Sequence, residues 1–216
     1  MDVQFLPTIT VQAPRERIYS RLGYAKGITQ LSALSQEHIE RAIDAGVSLI
    51  ELKGCYRRLL AKENDGYLVV LSQGLRFRSQ SLGHMLTGCE EALLMSVTAG
   101  SLIVEAIHAN AVDADMSSSV VFDAVASEMV ESGLNWITEL VTREIIRERR
   151  CFTERRFSAG YGDLIIQAQK DFYTTLRLEK LGVTINESYM LIPEKTVTAI
   201  IGIRKMPEPK ATREGF

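Results

Sequence analysis

From Arg156 to Ile203 the chain reads RFSAGYGDLIIQAQKDFYTTLRLEKLGVTINESYMLIPEKTVTAIIGI, and this stretch decides the fold. It opens on Arg156-Phe157-Ser158-Ala159-Gly160-Tyr161-Gly162-Asp163, which packs a guanidinium, two glycines, an aromatic hydroxyl and a carboxylate into one short segment. Glycine permits φ > 0 or a close backbone approach to a ligand, and Tyr and Arg supply stacking and directed donors. The segment therefore reads as a ligand-binding loop. Asp163 is a good N-cap for the helix that follows. That helix carries Gln167 and Gln169, has Ile165, Ala168, Phe172 and Leu176 on one face, and ends before Gly182. Val183 to Ile192 and Thr196 to Ile203 then read as two strands, joined by the turn Ile192-Pro193-Glu194-Lys195.

Moving upstream, the strongest helical signal is the recurrence of Val120, Ala124, Ser127, Glu131, Leu134, Thr138, Val141 and Ile145 at alternating steps of four and three. Glu131 lies in the middle of this small and apolar stripe. A carboxylate there is costly to desolvate unless it is paired, protonated or open to a cleft. Alternatively its stem packs while its head reaches water, and periodicity does not choose between the two.

Further upstream, Ser101 to Ala111 reads as a helix, and Ala92 to Thr98 as a buried strand stopped by Gly100. Ser79 to Leu86 is a short helix ending near Gly88. Val47 to Leu60 and Tyr67 to Leu71 are strand formers around the hairpin chemistry of Glu63-Asn64-Asp65-Gly66. Ser35 is a candidate N-cap for a helix through Ile39, Ala42 and Ile43 to Gly46, and a short helix from Arg15 closes at Gly23. The expected class is a mixed α+β domain over residues 15–204, with antiparallel β-hairpins in a sheet and long helices. An extended arm (1–14) precedes it and a polar, loose tail (205–216) follows.

Composition narrows the function classes. A formal net charge of −2 lacks the clustered basic face that nucleic acid needs. The basic run from Arg143 to Arg156 is interleaved with Glu144, Glu148 and Glu154, and reads as a solvated helix face followed by an exposed turn. No apolar run approaches the roughly 20 residues that cross a bilayer, and the N-terminus has no signal-peptide pattern. Cys55, Cys89 and Cys151 are odd in number with no CxxC pair, which suits a reduced, cytoplasmic setting.

His38, His84 and His108 have no ligand-spaced companions, so no zinc signature is expected. Phosphate-loop, dinucleotide-loop and nucleophile-elbow patterns are absent from the sequence. Cys89 beside Glu90 and Glu91 is poorly placed for a stabilised thiolate. There is also no D-x-H-x-x-G pattern of the kind that supplies a lower histidine ligand to cobalamin. No catalytic side chain and no metal ligand are assigned.

The segment Arg156 to Asp163, with Gln169 following, resembles the R-x-S-P-G-Y-G-D loop of small proteins related to the activation domain of cobalamin-dependent methionine synthase. In the full-length synthases the corresponding loop reads R-P-A-P-G-Y-P. Gly182 to Pro193 is similar to the family's G-V-x-L-x-E-S-x-M-M-x-P strand, and Lys195 to Gly202 to its K-S-V-x-A-x-x-G strand. Upstream, Val97-Thr98-Ala99-Gly100 resembles V-T-L-G, and Val130-Glu131 resembles the V-E of the long helix. The likeness covers most of residues 15–204 and is most specific in the last third.

This resemblance implies an S-adenosylmethionine site whose sulfonium methyl is presented to cobalamin on another module, so that one electron plus the methyl returns inactive cob(II)alamin to methylcobalamin. It places Arg156 on the methionyl carboxylate, and Glu131, or failing that Asp163, opposite the ammonium and sulfonium. Tyr161 offers a hydroxyl and a ring face, Ser158 belongs to the same loop, and Gly160 and Gly162 let backbone groups read the adenosine. The implied partners are a cobalamin-binding methionine synthase or related corrinoid protein and a flavodoxin-like electron donor.

Two departures stand out. Ala159 replaces the loop's usual proline, which loosens φ and preorganisation. The acidic residue near the domain start and the tyrosine pair near its end, which contribute to the site in full-length domains, have no identifiable counterpart. Three readings follow: a stand-alone reactivation module working in trans, a non-catalytic binding or regulatory module on a corrinoid protein, and a purely structural loop in which Arg156 and Asp163 satisfy helix ends.

Overall fold

The computed structural model describes residues 2–25, 27–112 and 116–207. Among these residues Gln4–Leu6 (β1), Lys53–Asn64 (β2), Leu68–Leu71 (β3), Arg76–Arg78 (β4), Glu91–Thr98 (β5) and Arg150–Phe152 (β6) are strands. Thr184–Ile185 (β7) pairs only with Leu191–Ile192 (β8), and Thr196–Lys205 (β9) returns to the main sheet. The sheet is antiparallel throughout, in the order β4-β3-β2-β5-β9-β6. Strand β1 shares an edge of β2 with β3, taking Gly54 to Tyr56 and leaving the far end of β2 to its hairpin partner.

The sheet is central because β5 is buried along its whole length. Successive side chains on a strand point to opposite faces, so a strand covered on both sides reads as an unbroken apolar run. Leu93, Met95 and Val97 face one core with Ala199, Ile201 and Ile203 of β9, while Ala92 and Leu94 face a second core with Ile200. Helices Arg15–Arg21 (α1), Ala33–Ser48 (α2), Ser101–Val112 (α4) and Met116–Arg147 (α5) contribute to the first core. Helices Gln80–Met85 (α3) and Ala168–Leu176 (α6) contribute to the second. The mixed α+β class and the antiparallel sheet expected from the sequence are both present.

Several boundaries differ for physical reasons. Helix α2 is capped by Ser32, whose side chain accepts from the Ser35 N–H, rather than by Ser35. Gly46 is not its stop but lies inside it, where a Cβ would meet the Phe122 ring at 3.2 Å. Strand β2 starts only at Lys53, because α2 continues through Ser48. The segment from Val183 to Ile192 is no single strand: the Asn186 side chain accepts from the Ser188 and Met190 amides and folds it into the β7–β8 hairpin.

The buried face of α5 runs through Phe122, Val125, Met129, Gly133, Ile137 and Val141, so the sequence stripe through Glu131 and Thr138 lies at its margin. The basic run is also not simply solvated. Arg58, 6% exposed, forks onto Glu91 and reaches Glu148, and Arg150 bridges Glu90, Glu91 and Glu148 where α5 meets β6. No helix among the described residues is long and apolar enough to cross a membrane. Of the expected tail, residues 208–216 lie outside the described residues.

Candidate functional site

Helix α5 leaves the sheet at Arg147, turns through Arg149 in the left-handed region, and the chain runs back alongside it as β6 and the segment 153–158. This hairpin of helix and strand leaves a trough floored by Ala199 and Ile201 of β9. Its volume is about 1060 Å³, at the upper end of ordinary small-molecule sites. Glu131, Asn135, Thr138 and Thr142 form the α5 wall, and Phe152 to Ser158 with Tyr161 form the other.

Because the two walls run in opposite directions, Arg156 arrives opposite Glu131, with the guanidinium Nη2 at 3.0 Å from the carboxylate Oε2. Glu131 is paired and lines a cleft, and at 40% side-chain exposure its head also reaches water. Both side chains line the trough, a space large enough for a ligand. One end of the trough is therefore zwitterionic, whereas the other, at Ile146, Phe152 and Met206, is apolar.

The loop is held from beneath. Phe157 exchanges two backbone hydrogen bonds with Ile200 of β9, at 2.9 and 2.8 Å, and Leu164 is buried in the second core. Between these anchors Gly160 and Gly162 take φ of +81° and +56°, conformations that L side chains rarely adopt. The Gly160 N–H donates to Leu164 and the Tyr161 N–H to Ser158, so these loop donors are used inside the turn. Tyr161 stands 70% exposed, its ring edge-on to Phe157 at 5.8 Å.

Asp163 does not cap the helix that follows it, correcting the local reading. Helix α6 begins four residues beyond Leu164, with Gln167 at its N-cap position and no side-chain cap. The Asp163 carboxylate instead serves α3 across the fold: it accepts from the Ser79 hydroxyl at 2.7 Å and the Gln80 amide at 2.6 Å, with Ser81 N–H at 3.3 Å. The Ser79 hydrogen bond and the adjoining Ser81 and amide donors hold its carboxyl down at about 2. Four of the expected site residues thus line the trough (Glu131, Arg156, Ser158 and Tyr161). Gly160, Gly162 and Asp163 sit behind it and shape the loop.

Sequence reasoning did not single out Asn135, Thr142, Phe152 or Ile201 as lining residues. Asn135 and Thr142 were detectable as the positions four residues on from Glu131 and Thr138, but the second wall depends on how β6 folds back. The Cys89 thiol is pushed up by burial, in keeping with an inert role. Among the described residues no group of His, Cys, Asp and Glu could hold a metal ion.

The central antiparallel sheet with helices on both faces is an α+β fold shared with a solved structure. That structure is the MetH reactivation domain bound to AdoHcy, which is similar over 97% of this chain and 80% of its own at a TM-score of 0.64 and 13% identity. No family model matches the chain, and no curated protein does.

Proposed function

We propose that this protein binds S-adenosylmethionine in the trough and acts in trans as a reactivation module for a cobalamin-dependent methionine synthase or related corrinoid protein. The observation that carries this reading is the meeting of Arg156 and Glu131 at 3.0 Å on the wall of a ligand-sized trough, in a fold of which one solved structure holds AdoHcy. A free amino-acid end has one group for each partner. Its carboxylate suits the planar guanidinium fork, and its ammonium suits the glutamate.

Ser158 and Tyr161 add hydroxyls and a ring face at the same end, while Gly160, Gly162 and Asp163 keep the loop in the conformation that aims Arg156. The sulfonium methyl would pass, with one electron from a flavodoxin-like donor, to the corrinoid cobalt of the partner, leaving S-adenosylhomocysteine in the trough. The setting is the reduced cytoplasm.

Calorimetric titration with S-adenosylmethionine tests the binding step. Saturable binding is expected, with Arg156→Ala weakening it by about 100-fold, as for loss of a charge-assisted contact of 1.5–3 kcal/mol. A folded wild-type protein that shows no binding would sink the reading. Ala159, where the family has proline, favours a second reading in which the ligand is bound but no methyl is given up. Oxidised synthase supplied with an electron donor and S-adenosylmethionine separates the two. Methylcobalamin forming only when this protein is present supports methyl donation.

A further inference from the structure

We propose that Asn135 is the specificity-determining residue of the trough, its carboxamide taking the ribose diol of the nucleoside whose amino-acid end Arg156 and Glu131 hold. This rests on the reading above and extends it to the direction in which the ligand lies. Asn135 is one helical turn beyond Glu131 on the same face of α5, about 6 Å along the axis. The trough continues from there toward Ile146, about 22 Å from Glu131 along the helix. The ligand therefore has room to extend along α5 from the charged end.

The hydrogen-bonding capacity of this wall is concentrated at one position. The Thr138 hydroxyl donates to the Leu134 carbonyl at 2.8 Å and the Thr142 hydroxyl to the Thr138 carbonyl at 2.7 Å, so both threonines turn their donors back onto the helix. Glu131 is committed to the charged end. Asn135 is half-buried, lines the trough, and has no side-chain hydrogen bond to any described residue. A carboxamide offers both a donor and an acceptor, matching vicinal hydroxyls that can do either. Across the trough the Gly160 and Tyr161 amides are bonded within the turn, and the Ser158 and Tyr161 hydroxyls belong to the charged end beside Arg156. With the ribose at Asn135, the base lies toward Phe152, Ile146 and Met206, the apolar end.

The test compares AdoHcy with its 2′-deoxy and 3′-deoxy analogues on the wild type and on Asn135→Ala. Alanine is a better helix former than asparagine, and the side chain it replaces holds nothing in the fold, so the variant keeps its structure. The wild type should lose about tenfold in affinity on removal of at least one hydroxyl, the scale of one good hydrogen bond, and Asn135→Ala should bind all three ligands alike. A wild type indifferent to both deoxy analogues, or a variant that still discriminates, overturns the assignment. Absence of AdoHcy binding by the wild type overturns the S-adenosylmethionine reading itself, a result distinct from either.

Discussion

At the scale of single residues, Asp163 shows how one side chain can serve a site without touching a ligand. Its carboxylate closes the N-terminus of α3, where backbone N–H groups have no intrahelical partner. In doing so it pins the end of the loop that presents Arg156. Its folded carboxyl lies at about 2, below the ordinary value of 3.8. A depressed acid contributes stability above its unfolded value, and that contribution disappears as pH falls through the folded one. Asp163→Ala should therefore be less stable than the wild type in chemical denaturation at neutral pH, and the difference should shrink between about pH 4 and pH 2. A difference that stays constant over that range would show that the ionised cap is not its source. The same variant should weaken AdoHcy binding less than Arg156→Ala, because it loosens the loop and removes no ligand contact.

At the scale of elements, the fit of α5 onto the sheet positions the whole ligand wall. Gly133 lies against Val97 of β5, where an added Cβ would come within 2.8 Å of a valine methyl. Alanine at this position gains about 1 kcal/mol of helix propensity. It also overpacks a stiff β-branched neighbour, which costs about 1–3 kcal/mol. The packing term wins because the valine is held within a strand paired on both edges. Gly133→Ala should lower stability by about 1 kcal/mol and, by lifting α5 two residues from Glu131, reduce AdoHcy affinity. Urea denaturation together with titration checks both; an unchanged or raised stability would mean that α5 has slack at this contact.

For the whole molecule, the charged cluster around Arg58 ties the end of α5 to β2, β5 and β6, the turn from which the second wall of the trough departs. Glu91 sits at 8% side-chain exposure against Arg58 at 5%, whereas Glu148 is 40% exposed. Arg58 holds the Glu148 carboxyl below its usual range. Glu91 is the buried acceptor shared by Arg58 and Arg150, so its removal leaves both guanidinium groups short of a partner. That loss falls at the lower end of the about 3–5 kcal/mol of a broken buried pair, while an exposed partner is worth about 1 kcal/mol or less. Glu91→Ala should accordingly destabilise by about 3 kcal/mol and Glu148→Ala by about 1 kcal/mol, read from urea midpoints at constant slope. Equal losses would contradict the burial argument.

Much of this organisation was legible in the sequence. The largely apolar run of β5, the Asn64-Asp65-Gly66 turn, the three-and-four spacing of α5 and the glycines of the loop each encode their own local geometry, because backbone preference and side-chain periodicity act over a few residues. The chemistry of the loop was also visible, as a cation, glycines and an aromatic beside a carboxylate on a helix. What tertiary structure decided was who meets whom. Asp163 could have capped the helix after it but instead closes one 84 positions upstream. Glu131 keeps a wetted head at the margin of α5, and it pairs with Arg156 only because β6 folds back along that helix. Local pattern sets which groups need partners, but the choice among distant partners depends on approach to within about 3 Å. Only the packed sheet and helices provide that approach.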